Sequence, residues 1–291
     1  MSLYPGFARP RNLAQASEIL AGFSGVVIIA GGQELMPHIN YGALQPEIYV
    51  DIGGLAELKG IRAEKPDSLP IGALTVHREI QTDPLIAERL PLLALSARQI
   101  GGGRQVHNRG TIGGNIVAMH PLYDILPSLL ALEAEVEYVK GGEQHRVSLA
   151  EALKDTRTGF GSEAILSRIF VRTPTVGTGY GYEKLKASGG AYGSANAAAL
   201  VTLHEGRIAS LRLVIGAVAD RLIDASQALS SFVGQPWSEA LANRIGQQCA
   251  VLVAEPLSDH QGDGAWRRAM AGVVARRALA AAVARAQGSK E

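Results

Sequence analysis

The distribution of apolar and polar residues predicts both strands and helices in the first part of the chain. Residues 26–29 are four consecutive β-branched residues, which is typical of a buried strand. Residues 48–52 and 69–74 are also predicted strands. Residues 13–23 have the pattern of a short amphipathic helix, and residues 84–99 are predicted as a second helix, capped by Asp83.

The second part of the chain has a different order of elements. Residues 173–179 combine threonine, proline and glycine, and we predict a domain boundary there. Beyond it, residues 195–203 and 208–218 are predicted strands, and residues 224–287 are alanine-rich and predicted to be mostly helical. Strands followed by helices are typical of an α+β domain. We therefore predict two domains, residues 1–175 and residues 176–291.

The composition argues against several classes of function. The formal net charge is +1 and aromatic residues make up 5% of the chain, so a nucleic-acid-binding surface is not expected. Cys249 is the one cysteine, so the chain cannot form an internal disulfide or hold an iron–sulfur cluster by itself. We predict that this cysteine is a core residue within a helix. Because residues 1–5 lack a signal-peptide pattern and no long apolar stretch is present, the expected compartment is the cytoplasm.

Two glycine-rich segments carry the candidate chemistry. In the first, residues 29–35, the pair Gly31-Gly32 follows a predicted buried strand. Glycine has no Cβ, so the backbone can approach a ligand closely, and successive N–H groups can bind phosphate oxygens. The segment matches neither the G-x-G-x-x-G fingerprint nor a P-loop, and a plain tight turn is the alternative interpretation.

The second segment, residues 105–115, combines the pair Gly113-Gly114 with the polar side chains of Thr111 and Asn115. We predict a loop in which these side chains form hydrogen bonds while the glycines give access to the backbone. Two such segments indicate a binding site in which each segment lines one side of an extended, phosphate-containing ligand.

Two arginines, Arg104 and Arg109, flank this second segment. They either balance the charge of a bound phosphate or are solvated side chains that contact a partner subunit. No G-x-S-x-G pattern is present, so hydrolysis has no positive support.

These motifs resemble those of a known family, in the same order. The flavin subunit of the xanthine dehydrogenase and carbon monoxide dehydrogenase family is similar to this chain at Ala30-Gly31-Gly32 and at residues 108–115 (NRGTIGGN). Further stretches that resemble the family are residues 71–77, 121–127, 181–186, 195–203 and 215–218. The resemblance runs from Phe7 to about residue 285, nearly the whole chain.

The resemblance implies an α+β fold with a two-lobed FAD-binding domain of the vanillyl-alcohol-oxidase type. The lobes would divide near residues 54–60, with FAD extended between them, and a smaller α+β domain of the CO dehydrogenase flavoprotein type would follow. Asp124 would accept hydrogen bonds from sugar-like hydroxyls, and Lys184 would lie beside the isoalloxazine ring. Ile165 and Leu166 would pack near the adenine. The implied FAD contacts are Ile29, Ala30, Gly31, Gly32, Gln33, Glu34, Leu35, Thr75, Thr111, Gly114, Asn115, Val117, Ala118, Tyr123, Asp124, Ile165, Leu166 and Lys184.

The resemblance also implies that this chain transfers electrons and does not itself oxidise a substrate. A large partner subunit would hold molybdopterin, and a small partner would carry two [2Fe-2S] clusters, in a dimer of heterotrimers. Electrons would pass through FAD to a quinone, NAD, oxygen or another acceptor, because a flavin joins one-electron to two-electron chemistry. The single cysteine agrees with this division of labour.

Two other functions stay open. A self-sufficient flavin oxidoreductase of the same fold would need its own acid/base group over the flavin, and the sequence offers no convincing candidate. A scaffold subunit that has lost FAD is the other alternative, because Gln33, Glu34 and His120 depart from the residues usual in the family.

Overall fold

The computed structural model describes residues 5–154, 159–161 and 163–288. The mixture of strands and helices confirms the predicted α+β class. In chain order the elements are β1 (Gly6–Ala8), α1 (Leu13–Gly22), β2 (Val26–Ile29), α2 (Leu35–Asn40), β3 (Ile48–Asp51), β4 (Ser68–Gly72), α3 (His77–Thr82), α4 (Pro84–Arg89), α5 (Pro91–Ala97), α6 (Gly103–Arg109), α7 (Ile112–Ala118), α8 (Ile125–Ala131), β5 (Glu135–Lys140), β6 (Glu143–Ser148), α9 (Leu149–Ala152), β7 (Ala164–Arg172), β8 (Gly179–Leu185), β9 (Ala195–His204), β10 (Arg207–Gly216), β11 (Ile223–Asp224), α10 (Glu239–Val251) and α11 (Gly264–Gly288).

The chain divides into two compact units. The first comprises the described residues of Met1–Ile80, Arg104–Met119 and Glu133–Arg172. It contains a parallel sheet of order β1-β3-β2 and an antiparallel sheet of order β4-β7-β5-β6. Helix α1 contributes Ala16 and Leu20 to the core of this unit. The predicted strands at residues 26–29 and 48–52 are confirmed as the paired strands β2 and β3.

The second unit comprises the described residues of Gln81–Gly103, His120–Leu132 and Thr173–Glu291. Its antiparallel sheet has the order β11-β10-β9-β8, and helix α11 packs on it. A Cβ added to Gly181 would lie 1.9 Å from the carbonyl oxygen of Ala278. Small residues on both elements therefore allow the helix to approach the sheet closely, which gives a physical reason for the alanine-rich sequence.

Cys249 lies in α10 with no exposed surface, as predicted. Burial raises the pKa of its thiol to about 12, because a thiolate is poorly solvated in the core. The cysteine is therefore an apolar core residue at neutral pH.

Three parts of the sequence-based prediction need correction. The helix predicted over residues 84–99 is two helices, α4 and α5, because Pro91 has no N–H and begins a new helix after Leu90. Residues 224–287 are helical only in α10, α11 and a short 3-10 turn at Ser230–Phe232. Strand β6 was not predicted, and it forms a hairpin with β5 through Gly141-Gly142, both of which have positive φ.

Residues 1–4, part of the segment on which the signal-peptide expectation rests, lie outside the described residues. Among the residues that are described, no helix is both long enough and apolar enough to cross a membrane.

Candidate functional site

The first glycine segment lies in the first unit, between β2 and α2. Gly31 approaches the chain at Arg109 so closely that an added Cβ would lie 2.1 Å from the Arg109 carbonyl oxygen. Gly32 has a φ of +71°, a conformation that favours glycine. Within the described residues, no hydrogen bond engages the N–H of Gly31 or the N–H of Gly32. Neither amide is therefore used in hydrogen bonding within the described residues.

The second glycine segment is helical, which corrects the predicted loop. Helix α7 begins after Thr111, whose side-chain oxygen accepts a hydrogen bond from the N–H of Gly114 at 3.1 Å. The N–H of Gly113 donates to the carbonyl oxygen of Ala73 at 2.8 Å. An added Cβ on Gly113 would lie 2.7 Å from that residue. This second pair of glycines therefore serves capping and close packing, and its N–H groups are already bonded within the protein.

One pocket of about 320 Å³ brings the two segments together within the first unit. This volume lies near the lower end of the ~300–1,000 Å³ that is usual for small-molecule sites, so it suits part of an extended dinucleotide. Both segments contribute to the lining of this pocket, although Gly32, Gly113 and Gly114 do not. The lining residues are Arg9, Ala30, Gly31, Asp51, Gly53, Lys59, Leu74, Val76, Asn108, Arg109 and Thr111.

Several lining residues were missed by the sequence analysis. Arg9 donates from Nε to Asp51 Oδ2 at 2.9 Å, and Asp51 Oδ1 accepts from the N–H of Gly53 at 3.0 Å. Asp51 ends a correctly predicted strand, but no local pattern connects it with Arg9 or with Lys59. Only the folded chain brings these side chains to one pocket.

Other predicted FAD contacts in the first unit have structural roles. Thr75 is buried, and its hydroxyl accepts from the N–H of Gly60 at 3.1 Å. Ile165 and Leu166 are buried in β7. Asn115 follows Thr111 along α7, and its buried Oδ1 has no hydrogen-bond partner among the described residues.

The remaining predicted contacts of this unit lie outside the pocket lining. Several are at least partly exposed, and Val117 has an exposed fraction of 52%. They are Ile29, Gly32, Gln33, Glu34, Leu35, Gly114, Val117 and Ala118.

His77 packs against Gly110, just before the start of helix α7. Its backbone N–H donates to the carbonyl oxygen of Gly110 at 3.0 Å, and a Cβ added to Gly110 would lie 2.9 Å from the imidazole ring. Burial lowers the pKa of His77 to about 4, with a smaller contribution from the nearby charge of His107. The ring is therefore neutral at neutral pH and acts as a packing element beside the site.

In the second unit, Asp124 and Lys184 form a buried ion pair. Lys184 Nζ donates to Asp124 Oδ2 at 2.8 Å and to the carbonyl oxygen of Gln99 at 2.9 Å. The hydroxyl of Tyr182 donates to Asp124 Oδ1 at 2.9 Å. Burial raises the pKa of Asp124, and Lys184 partly offsets that effect. The two residues were predicted as separate flavin contacts, and their pairing was not predicted from the sequence.

Tyr123, also predicted as an FAD contact, belongs to an aromatic cluster in the same unit. Its ring stacks on His120 with a centroid distance of 5.0 Å, and His120 stacks on Tyr192 at 5.4 Å. The imidazole Nδ1 of His120 also accepts from the N–H of Leu122 at 3.2 Å. His120 therefore stacks on both tyrosines.

Family models match almost the whole chain. A model described as the FAD binding domain in molybdopterin dehydrogenase matches residues 4–174. A second, described as the CO dehydrogenase flavoprotein C-terminal domain, matches residues 180–282. The predicted fold class is therefore confirmed.

Individual proteins are similar to the chain over their full lengths. The carbon monoxide dehydrogenase medium chain of Hydrogenophaga pseudoflava is 33% identical over 279 residues, covering 95% of this chain and 96% of that one. The nicotine 6-hydroxylase medium subunit of Paenarthrobacter nicotinovorans is 28% identical, with coverages of 96% and 97%. A chain in the structure of the Hydrogenophaga pseudoflava carbon monoxide dehydrogenase superposes with a TM-score of 0.92, at 30% identity and coverages of 98% and 99%.

Proposed function

The chain belongs to the family of the FAD binding domain in molybdopterin dehydrogenase, and from this premise we propose that it is the electron-transferring medium subunit of a molybdenum hydroxylase. It is an FAD-binding component of an oxidoreductase. The observation that carries the proposal is the full-length similarity to medium subunits of such enzymes, which spans both family domains.

The residues of the first unit fit FAD. The open N–H groups of Gly31 and Gly32 suit phosphate oxygens, and the pocket beside them is lined by polar and basic side chains. The buried, unpartnered Oδ1 of Asn115 is an acceptor available to a hydroxyl or amino group. When bound, FAD supplies a carrier that takes up and releases either one or two electrons.

This chain would bind and orient the flavin, and partner subunits would hold the other cofactors. We expect a large subunit with molybdopterin and a small subunit with [2Fe-2S] clusters, arranged as a dimer of heterotrimers. Electrons from the substrate would reach FAD through the clusters and leave to an external acceptor. The single buried cysteine supports this division, because a cluster needs several thiolate ligands.

The hydroxylated substrate would be selected by the large subunit. Relatives of this chain are named as subunits of enzymes for carbon monoxide, nicotine, caffeine and glyceraldehyde. Similar flavin subunits are therefore found in enzymes that act on chemically unrelated substrates.

Several finer predictions belong to the same proposal. They are the cytoplasmic location, the domain boundary at residues 175/176 and the FAD contacts inferred from the family motifs. For Tyr123, Asp124 and Lys184, FAD contact is proposed from the motifs alone, since each already has partners within the protein.

Purification of the native complex through a tag on this chain tests the proposal. We expect one larger and one smaller partner subunit to co-purify with the tagged chain. FAD, molybdenum and iron should be present in a fixed ratio. Substrate should bleach the flavin absorbance of the complex, whereas the isolated chain with FAD should stay oxidised. Substrate-dependent bleaching of the isolated chain would instead favour a self-sufficient oxidoreductase. A folded chain that binds no FAD and recovers no partner would refute the proposal.

A further inference from the structure

The pocket of the first unit contains an excess of positive side chains. Its lining includes three cations, Arg9, Lys59 and Arg109, and one carboxylate, Asp51. Arg9 is already paired with Asp51 at 2.9 Å. Throughout the described residues, no hydrogen bond or ion pair engages the side chain of Lys59 or of Arg109. The pocket therefore keeps two unbalanced positive charges.

The backbone N–H groups beside these cations differ between the two glycine segments. Those of Gly113 and Gly114 are bonded to Ala73 and Thr111, so they cannot neutralise a ligand's charge without losing those bonds. Those of Gly31 and Gly32 are open within the described part of the chain. Of these two residues, Gly31 lines the pocket. An anion in the pocket would thus find one open N–H donor there, and further neutralisation must come from side chains.

We propose that Lys59 and Arg109 bind the diphosphate of FAD in this pocket, together with the open N–H of Gly31. The inference rests on the proposed function, since it takes FAD to be the ligand of this pocket. A diphosphate bridge carries a negative charge on each phosphate, which matches the two unpaired cations. A guanidinium binds phosphate through two parallel hydrogen bonds, whereas an ammonium acts as a compact point charge.

The structure also separates the two arginines that flank the second segment. Both Arg104 and Arg109 are exposed residues of helix α6, and neither has an ion-pair partner in the described residues. Only Arg109 lines the pocket. Arg104 is therefore a matched control, with the same charge on the same helix but outside the lining.

The test measures FAD binding to the full chain after removal of its flavin. The variants are Lys59→Gln, Arg109→Gln and the control Arg104→Gln, each titrated with FAD at several KCl concentrations and followed by flavin fluorescence. Because a hydrogen bond to a charged group is worth about one to two powers of ten in affinity, Lys59→Gln and Arg109→Gln should each weaken FAD binding about tenfold or more at low salt. The difference from the wild type should shrink as KCl rises, because salt screens exposed charges.

A second pair of variants separates charge from folding. Lys59→Arg and Arg109→Lys keep the positive charge, and both should bind FAD within a few-fold of the wild type. Inorganic diphosphate should compete with FAD for the wild-type chain and compete less well for the two glutamine variants.

The outcomes distinguish this inference from the proposed function. A wild-type chain that binds no FAD would defeat the proposed function. A wild-type chain that binds FAD, together with glutamine variants of unchanged affinity, would overturn only the inference. An equal loss in Arg104→Gln would also overturn it, since the effect would then reflect the general charge of the surface.

Discussion

Replacing His77 by glutamine should remove an acid-dependent loss of stability from the protein. His77 is 3% exposed, its ring packs against Gly110, and its Nδ1 has no hydrogen-bond partner within the described residues. The folded state therefore holds the imidazole in its neutral form, with a pKa of about 4 against an ordinary value of 6.5. In the unfolded chain the same ring takes up a proton once the pH falls below 6.5.

The size of the effect follows from these two pKa values. The difference is about 2.5, and each pKa unit corresponds to about 1.4 kcal/mol. The free energy of unfolding should therefore decrease by about 3 kcal/mol over the pH range between these two values. Above pH 6.5 this effect leaves the free energy of unfolding unchanged. The free energy of unfolding then decreases as the pH falls towards about 4, because only the unfolded state binds the proton in that range. This is a large part of the roughly 5–15 kcal/mol that holds a typical domain folded.

The assay is urea unfolding of the chain at several pH values between 6.5 and about 4, followed by circular dichroism. The free energy of unfolding of the wild type should fall more steeply with acid than that of His77→Gln. A matched control is His204→Gln, which removes an exposed histidine at the end of β9 and should keep the wild-type slope. Equal slopes for the wild type and His77→Gln would refute the reasoning, whatever the stability of the variant at neutral pH.

Two further predictions concern close packing and buried charge. Gly31→Ala should abolish tight FAD binding while leaving a folded chain, because the new Cβ would lie 2.1 Å from the Arg109 carbonyl oxygen. The control is Gly54→Ala, where an added Cβ meets nothing within 4 Å. This variant should bind FAD normally in the same fluorescence titration. Lys184→Met should lower the free energy of unfolding by about 3 kcal/mol, since it leaves the buried Asp124 without its cation. The double variant with Asp124→Leu should be more stable than the sum of the single changes predicts, and strict additivity in this cycle would contradict the pairing.

The sequence predicted elements whose stability is local. The β-branched run at Val26–Ile29 forms a strand wherever a core is available, and Asp83 caps α4 through hydrogen bonds to two residues of its first turn. The strands over residues 195–203 and 208–218 were also predicted, and they pair as β9 and β10. Such features depend little on the remainder of the chain.

The sequence failed where tertiary contacts outweigh local preference. Glycine is a poor helix former by about 1 kcal/mol relative to alanine, so the run around Gly113 indicated a loop. In the structure the cap at Thr111 and the buried side chains of Ile112 and Ile116 hold that run as helix α7. Strand β6 was missed for a different reason, since the Gly141-Gly142 turn signal was present but its strand is polar and mostly exposed.

Two lysines show why a motif alone does not identify a ligand-binding cation. Lys184 belongs to a family motif, yet its side chain is 1% exposed and its ammonium is paired with Asp124. Withdrawing it towards a ligand would leave a buried carboxylate unpaired, which costs about 3–5 kcal/mol. Lys59 belongs to no motif that the sequence analysis used, but it is exposed at the pocket and has no partner in the described residues. A diphosphate binds more favourably to a cation that gives up no other ion pair. The cations of the pocket in the first unit, and not the buried pair, should therefore dominate the salt dependence of FAD binding.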